Sequence, residues 1–492
     1  VIAALLTLAA FTLYLKTASP TFGGLDAAEL ATAAYTLGIP HSTGFPLFVL
    51  LGWLFTHALP IGEVVYRTTV MTALFAALTV GTAYLLLRQL RLRRLPAVLA
   101  CGTFAVSYYQ WSSAVATKEH SLHDFLLAST LLLVLRWRRT DRPGWLVAAA
   151  GVFGLSLANH MSAALYAPAL VLFVALRGRV RLRHVPLLAS AGLAGLLPYA
   201  YLPLAYLHGP AFSIAGVYDT TGAFHPVDLA SPQGLWWMVS GRQFGRLFLG
   251  VPAELLPSSL MDVAYWLWTS FFGLGVVLGV FGLGSFLRRD RWFFGLAAAL
   301  AVSHVAFFAT YAVPDRDAMF APLYLLWTLP LGFGIAGLLA LVRRRPWTRI
   351  VAGVLAAGWA AGLAITYPRV DQSQDSQPQR WAAQAVEALP ANAIVLGRWE
   401  TSGPLQYMAL VQGRRPDLQV IDRFLISAPS MATLVSTELG RRPIVVDAQD
   451  VLDDMRLDPS VRLRPLLAGD DARLNLRSSD RFPLLLLSRD DG

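Results

Sequence analysis

The chain has 492 residues, of which 56% are hydrophobic and only 14% charged, against about 25% charged in soluble domains. That balance excludes a soluble globular protein and defines an integral membrane one. The formal charge of +10 is no nucleic-acid signature either: residues 1–369 hold 26 Lys+Arg against 13 Asp+Glu, whereas residues 370–492 hold 14 against 17. The positive excess belongs to the apolar part.

In chain order, apolar runs long enough to be read as membrane helices fall at about 1–16, 65–88, 96–115, 120–136, 144–159, 161–177, 185–206, 262–287, 292–312, 319–341 and 348–368. This predicts a polytopic α-helical membrane protein of about eleven transmembrane helices. The opening "VIAALLTLAAFTLYL" reads as a first helix already under way. It has no basic flank and no cleavage-site pattern after it, so it is not a cleaved signal peptide, and the true N-terminus is expected upstream. The segment "PLFVLLGWLFTHALP", 46–60, is too short to cross and is read as an interfacial helix.

Between the runs lie five arginine clusters: Arg88/Arg91/Arg93/Arg94, Arg136/Arg138/Arg139/Arg142, Arg177/Arg179/Arg181/Arg183, Arg288/Arg289/Arg291 and Arg343/Arg344/Arg345/Arg349. Short basic loops stay in the cytoplasm. That orientation puts 16–64, 116–120, 159–160, 207–261, 313–318 and the whole tail outside. Residues 1–369 are thus read as a membrane domain and 370–492 as a small extracytoplasmic α/β domain. In the tail, "PQRWAAQAVEAL" and "GPLQYMALVQG" read as helices, and "AIVLG", "LQVID", "PIVVD" and "FPLLLLS" as strands of a partly parallel sheet. It carries no glycine-rich phosphate fingerprint. The single cysteine, Cys101, allows no intrachain disulfide and joins no metal pattern.

Ionisable groups at membrane depth usually face a cavity or a polar pathway. Here they collect in the external turns. Asp26 and Glu29 share one face of a short helix in "DAAELATAAYTL". His41 follows in a Pro/Gly-rich turn. Glu119, His120, His123 and Asp124 come from "ATKEHSLHDF", Asn159 and His160 from "LANHMS", and Asp315, Arg316 and Asp317 from "YAVPDRDAMF". Each has a bland reading: Asp26 as a helix N-cap, Glu29 as a complement to the helix dipole, His41 as loop polarity, and Asp315–Asp317 as self-paired loop charges. Convergence of four turns on one face favours a site. The chain's two lysines, Lys16 and Lys118, fall in the same external segments, and lysine serves well as a phosphate partner.

The stretch "LDAAELATAAYTLGIPHSTGFPLFVLLGWL" resembles the opening of a family of membrane proteins long catalogued as a domain of unknown function, whose eukaryotic member is a transmembrane protein O-mannosyltransferase. Its pattern is met by Asp26, Glu29, Leu30, Gly38, Ile39, His41, Gly44, Phe45 and Pro46. "GLSLANHMSAALYAPAL", "GLWWMVSGRQF" at 234–244, "YAVPDRDAMFAPLY" and the tail are similar to later elements of the family. Ser42, His120 and an external loop without a Trp-Gly-Asp-Pro run depart from it, and bear on acceptor choice. The bias to arginine and alanine suggests a bacterial member from a genome of high GC.

The resemblance implies a glycosyltransferase C (GT-C) architecture, in which a helical bundle takes a sugar from a lipid-linked phosphate donor. It also implies that Asp26, the acidic residue of the first external loop, is the catalytic group. On this reading Asp26 takes the proton of an acceptor hydroxyl (possibly a protein Ser/Thr), and one displacement inverts the anomeric centre. Glu29 or Glu119 holds the acceptor or orients Asp26. His41, His120, Asn159, His160 and Asp315 contact sugar or phosphate, and Lys16, Lys118, Arg242 or Arg316 neutralises the phosphate. The sugar-bearing polyprenyl phosphate is a co-substrate rather than a cofactor. A metal is not required, although the clustered carboxylates leave a divalent ion open. Partners are the membrane lipid, the donor and a protein or glycan acceptor, at the outer face of the plasma membrane. Two other classes compete: a transporter or flippase of lipid-linked sugars, and a structural or receptor protein whose tail does the work. The first predicts polar groups through both halves of the bilayer, and the second leaves Asp26 unexplained.

Overall fold

The computed structural model describes residues 1–23, 25–176, 180–313, 316–342, 345–447, 461–467 and 483–489. Helices dominate from Ile2 to Val370. Residues 377–489 carry a five-stranded sheet with the helices Gln377–Ala388, Trp399–Leu410 and Ala428–Glu438.

The expected count of about eleven spans is corrected. Among the described residues four helices are long and apolar enough to cross a membrane: Val64–Gln89, Arg291–Phe308, Ala321–Leu341 and Arg349–Val370. Counting each bent pair as one span raises this to six; the pairs are Leu182–Gly195 with Leu197–Leu207, bent 44°, and Ala253–Ser270 with Leu274–Arg289, bent 102°. Several other runs are apolar but form shorter helices, at Ile2–Thr17, Arg94–Ala105, Pro143–Asn159 and Met161–Leu176. Hydropathy continues across breaks that the backbone makes at Ser107, His160, Leu196 and Gly273. His120–Thr140 has 21 residues but is polar at both ends, with His120, His123 and Asp124 at one and Arg136, Arg138 and Arg139 at the other. With several long apolar helices, the chain is a multi-pass membrane protein. Pro46–Ala58 forms a helix of 13 residues, shorter than a span.

Helices meet where small residues let backbones approach, the usual solution in a medium that offers no hydrophobic drive between them. Leu274–Arg289 packs on Ala321–Leu341, where a Cβ on Gly282 would come within 1.9 Å of the Pro330 carbonyl oxygen. Three basic segments share one end of the bundle. The Arg138 guanidinium forks onto the Asp290 carboxylate, and Arg139 donates to Gln89 Oε1 at 3.0 Å.

In the segment 207–261 a small ribbon pairs β1 (Gly216–Tyr218) with β2 (Phe224–Pro226). The tail's strands are β3 (Ile394–Gly397), β4 (Gln419–Asp422), β5 (Ile444–Val446), β6 (Val461–Leu467) and β7 (Leu484–Arg489), in the order β4-β3-β5-β7-β6. β3 runs parallel to β4 and β5, while β7 is antiparallel to both its neighbours. Both faces of β3 and β5 are covered, and all their residues are buried, as their unbroken apolar runs require.

The tail is docked on the bundle. Ala27, Ala28 and Ala31 share a buried cluster with Leu405, Tyr407 and Met408. Phe22 meets Tyr407 edge to face at 4.9 Å, and the Val65 N–H donates to the Tyr407 hydroxyl at 3.3 Å. Gln419 reaches the carbonyl of Gly222 at 2.7 Å.

Gly282→Val should drive its side chain into the backbone of the facing helix and lower the melting temperature in detergent by several degrees, since overpacking typically costs about 1–3 kcal/mol. Gly295→Ala, where nothing lies within 4 Å, should melt at or slightly above wild type. Equal melting of all three proteins would remove the tight helix pair as a determinant of stability.

Candidate active site

Asp26 occupies the N-cap position of the helix Ala27–Thr36, but its side chain makes no capping hydrogen bond. The cap reading of this carboxylate therefore fails. One turn on, Glu29 is 2% exposed. Leu37 closes the helix in the left-handed region, and the chain turns back through "GIPHSTGFP". Gly44, at φ +82°, supplies a conformation that side chains rarely adopt. Ile39 is pinned to the segment 207–261 by exchange with Phe212 and Ile214 at 2.8 and 3.1 Å.

This return brings His41 onto Glu29. The His41 backbone N–H donates to Glu29 Oε1 at 2.8 Å, and Nδ1 donates to the same carboxylate at 2.9–3.0 Å. Three rings stand edge-on to the imidazole: Phe45 at 4.8 Å, Phe244 at 5.6 Å and Trp399 at 5.5 Å. Burial alone would push the imidazole down, but Glu29, with Asp26 and Glu119 adding to it, pushes it up to about 9. His41 is therefore a cation at neutral pH.

A second cluster lies beside it. Glu119 starts the helix His120–Thr140, and Asn159 Nδ2 holds its carbonyl at 3.1 Å. Glu119 Oε1 is 3.3 Å from His120 Nδ1 and 3.8 Å from His160 Nε2, while Oε2 is buried without a hydrogen-bond partner. Burial favours the neutral carboxyl, but the surrounding histidines outweigh it and hold the group down at about 2. Burial, against the pull of Glu119, drops His160 to about 4.

Asp26, His41, Glu119, His120 and His160 line one cavity of 440 Å³. Its other wall is apolar, with Leu247, Phe248, Phe307, Phe308 and Met319. Glu29, Lys16, Lys118, Asn159, Arg242 and Arg316 do not line it. Glu29 acts on it through His41, and Asn159 through Glu119. Arg316 is turned to Ser259 Oγ, the Ala309 carbonyl and Asp262, at 2.6, 3.2 and 3.4 Å. Lys16 ends the first helix, and the backbone of Lys118 is tied to Thr72. Asp315 lies outside the described residues. Among the described lining residues there is no lysine or arginine, so the cavity's positive charge comes from histidine. Ser42, noted in the sequence only as a departure from the family pattern, lines the cavity too, and sequence reasoning missed Thr43 beside it and Trp399, Glu400 and Phe424 from the tail. No spacing in the sequence links those last three to Asp26.

Two triads, Asp26/Glu29/His41 and Glu119/His120/His160, each place donor atoms within 4.8 Å of one another, a spacing a metal could use. In the second triad the hydrogen bonds do not fit one. His160 Nδ1 accepts the Ser162 N–H at 3.2 Å, so the neutral ring carries its proton on Nε2, the atom facing Glu119. Metal-bound imidazoles do the reverse, donating their second N–H outward. His41, whose Nδ1 donates to Glu29, has that outward bond.

The architecture is GT-C-like. ArnT from Cupriavidus metallidurans, in a crystal structure bound to undecaprenyl phosphate, superposes with a TM-score of 0.60 at 12% identity, covering 99% of this chain and 97% of that one. The oligosaccharyltransferase of Archaeoglobus fulgidus, in complex with zinc and sulfate, gives 0.58 at 14% identity, covering 90% and 68%. More particularly, residues 26–183 match the family model "Protein O-mannosyl-transferase TMEM260 N-terminal domain". The chain is 26% identical over 453 residues to the protein O-mannosyl-transferase TMEM260 of Mus musculus, across 85% of this chain. It is 20% identical over 523 residues to the counterpart in Dictyostelium discoideum, across 93%. The match spans 62% of the length of each of these relatives.

The Glu29–His41 pair carries a pH signature. The folded value of about 9 lies above the ordinary 6.5, so the stabilisation is complete below about 6.5 and is lost as pH rises through 9. It is on the order of a few kcal/mol. Melting temperature should fall across pH 6.5–9.5 in wild type and fall less in Glu29→Gln, which starts lower. Parallel curves would mean that His41 does not titrate in that window.

Proposed function

We propose that the protein is a membrane glycosyltransferase that moves a sugar from a polyprenyl-phosphate donor to an acceptor hydroxyl at the extracytoplasmic face. The observation that carries this is the cavity itself: a carboxylate–histidine end at Asp26, His41 and Glu119, continuous with an apolar wall of Phe248, Phe307 and Phe308. A molecule with an isoprenoid tail and a charged, hydroxylated head has those two chemistries in that order.

Asp26 is the general base and takes the proton of the acceptor hydroxyl as the new glycosidic bond forms. Positioned bases are typically worth about 10²–10⁴-fold. His41, held cationic by Glu29, meets the negative charge that grows on the leaving phosphate. A fixed charge placed there acts in the transition state. His160 Nε2–H and Glu119 are placed to bind hydroxyls. A single displacement inverts the anomeric centre. The acceptor is a protein Ser/Thr hydroxyl, by analogy with the O-mannosyl-transferases the chain is similar to, and the sugar by the same analogy is mannose.

The test is transfer of radiolabelled sugar from a panel of polyprenyl-phosphate sugars by purified protein. Asp26→Asn should lower turnover about 10²–10⁴-fold while the donor still binds. Equal turnover would remove Asp26 from the chemistry and move the role to Glu119. Donor binding without turnover, with acceptors present, would favour a transporter of lipid-linked sugars.

The hydrogen-bond pattern of His160 makes a separate prediction: dialysis against EDTA should leave turnover unchanged. A loss restored by manganese would place a cation among Glu119, His120 and His160 and displace the hydrogen-bonded arrangement.

A further inference from the structure

The tail is a domain resting on the bundle. Its sheet has a specific relation to the cavity. β3 lies between β4 and β5, all three parallel. The chain leaves β3 for one side, reaches β4, then crosses to β5 on the other. In open α/β sheets such a reversal leaves a crevice at the carboxyl ends of the strands, where ligands bind. The residues just past those ends are Trp399 and Glu400 after β3, Phe424 after β4 and Asp447 after β5. Trp399, Glu400 and Phe424 line the Asp26 cavity. The tail thus turns its binding edge toward the membrane site rather than toward open solvent.

The charges on that edge select its ligand. Two arginines flank it: the Arg423 guanidinium is paired with Asp447, Nη1 to Oδ1 at 3.2 Å, and the Arg398 backbone N–H donates to Oδ2 of the same carboxylate at 2.5 Å. Neither arginine lines the cavity. What the edge brings to the lining is one carboxylate and two aromatic rings. A carboxylate repels a phosphate but accepts hydroxyl protons. Aromatic faces take the C–H surface of a ring. The rings are held in place: Phe424 stacks on Phe244 at 5.2 Å, and Trp399 stands at 80° to Phe424 at 6.0 Å and edge-on to His41. Two lining residues also hold buried polar atoms without hydrogen-bond partners, Trp399 Nε1 and Glu119 Oε2. Unpaired buried groups are uncommon in native structures, and here one is a donor and one an acceptor.

We propose that the carboxyl edge of the tail's parallel strands is a sugar-binding subsite, in which Glu400 accepts hydroxyls of the donor's sugar ring and Trp399 and Phe424 pack against it. This rests on the transferase reading of the cavity. It divides the labour: the bundle holds lipid and phosphate, and the tail reads the sugar.

The experiment measures equilibrium binding of two probes, undecaprenyl phosphate and undecaprenyl-phosphate mannose (with the glucose and arabinose forms as further probes), to wild type, Glu400→Gln and Trp399→Phe. Melting curves and undecaprenyl phosphate affinity serve as the folding control. Wild type should bind one sugar-bearing lipid more tightly than the bare phosphate. Glu400→Gln should lose about tenfold of that increment or more, the worth of a hydrogen bond to a charged group, with undecaprenyl phosphate affinity unchanged. Three results would overturn the subsite: no increment in wild type for any sugar, an increment retained in both variants, or a change confined to the acceptor KM. The two readings fail separately. Turnover with a Glu400-independent increment sinks the subsite alone. A Glu400-dependent increment without transfer to any acceptor sinks the transferase alone.

Discussion

The contact on which the site depends is the buried pairing of Glu29 with His41. A carboxylate at 2% exposure is costly to ionise unless its oxygens are fully engaged. Glu29 is served by one residue twice, through the backbone N–H and the ring of His41. That double attachment fixes the direction in which the chain returns after the helix Ala27–Thr36. It also fixes Phe45 against His41 and His160, and so joins the loop after the first helix to the turn that carries Asn159 and His160. Truncating either partner would leave the other buried and unpaired, the more damaging way to lose an ion pair.

The same pairing explains how the cavity holds a cation without a lysine or arginine on its described walls. A long flexible cation at a membrane face tends to reach outward to water. A short imidazole held by a buried carboxylate stays where it is put. The charge is then set by Glu29, which does not itself touch the cavity. Glu119 is organised by the same logic in reverse, a buried carboxylate kept charged by the histidines around it. The polar end thus sets each buried carboxylate beside an imidazole, which is cheaper to bury than either charge alone.

Much of this was legible in the sequence, and the rest was hidden for identifiable reasons. Asp26, His41, Glu119, His120 and His160 stand in short segments between apolar runs, with a strong polar contrast to their surroundings, and they do meet. The number of spans was misread because hydropathy reports burial in an apolar medium and not helix continuity: Ser107, Leu196 and Gly273 interrupt helices inside unbroken apolar runs. Lys16 and Lys118 were singled out for their rarity, a property of usage rather than of position, and neither lines the cavity. The strands of the tail followed from short apolar runs such as "AIVLG" and "PIVVD", but their carboxyl ends gave no sign of where they pointed. That information lies in the docking of Leu405, Tyr407 and Met408 on Ala27, Ala28 and Ala31, and two surfaces so far apart in the chain share no local pattern.

That docking surface gives the last step. The helix Ala27–Thr36 is almost wholly buried, and it has two duties: it starts at Asp26 and it is the bed on which the tail's helix Trp399–Leu410 rests. Its alanines allow the close approach; at Gly403, an added Cβ would already stand 3.6 Å from Ala28 Cβ and 3.8 Å from the Glu29 amide nitrogen. The base of the proposed reaction and the edge of the tail's sheet are therefore set by one rigid contact rather than by two independent domains. A displacement of the tail would carry Trp399 away from His41 and open the cavity on the side of its carboxylate roof. Small residues along the helix Ala27–Thr36 are thus a functional constraint as well as a packing one, because any bulk added there lifts the tail off the site it closes.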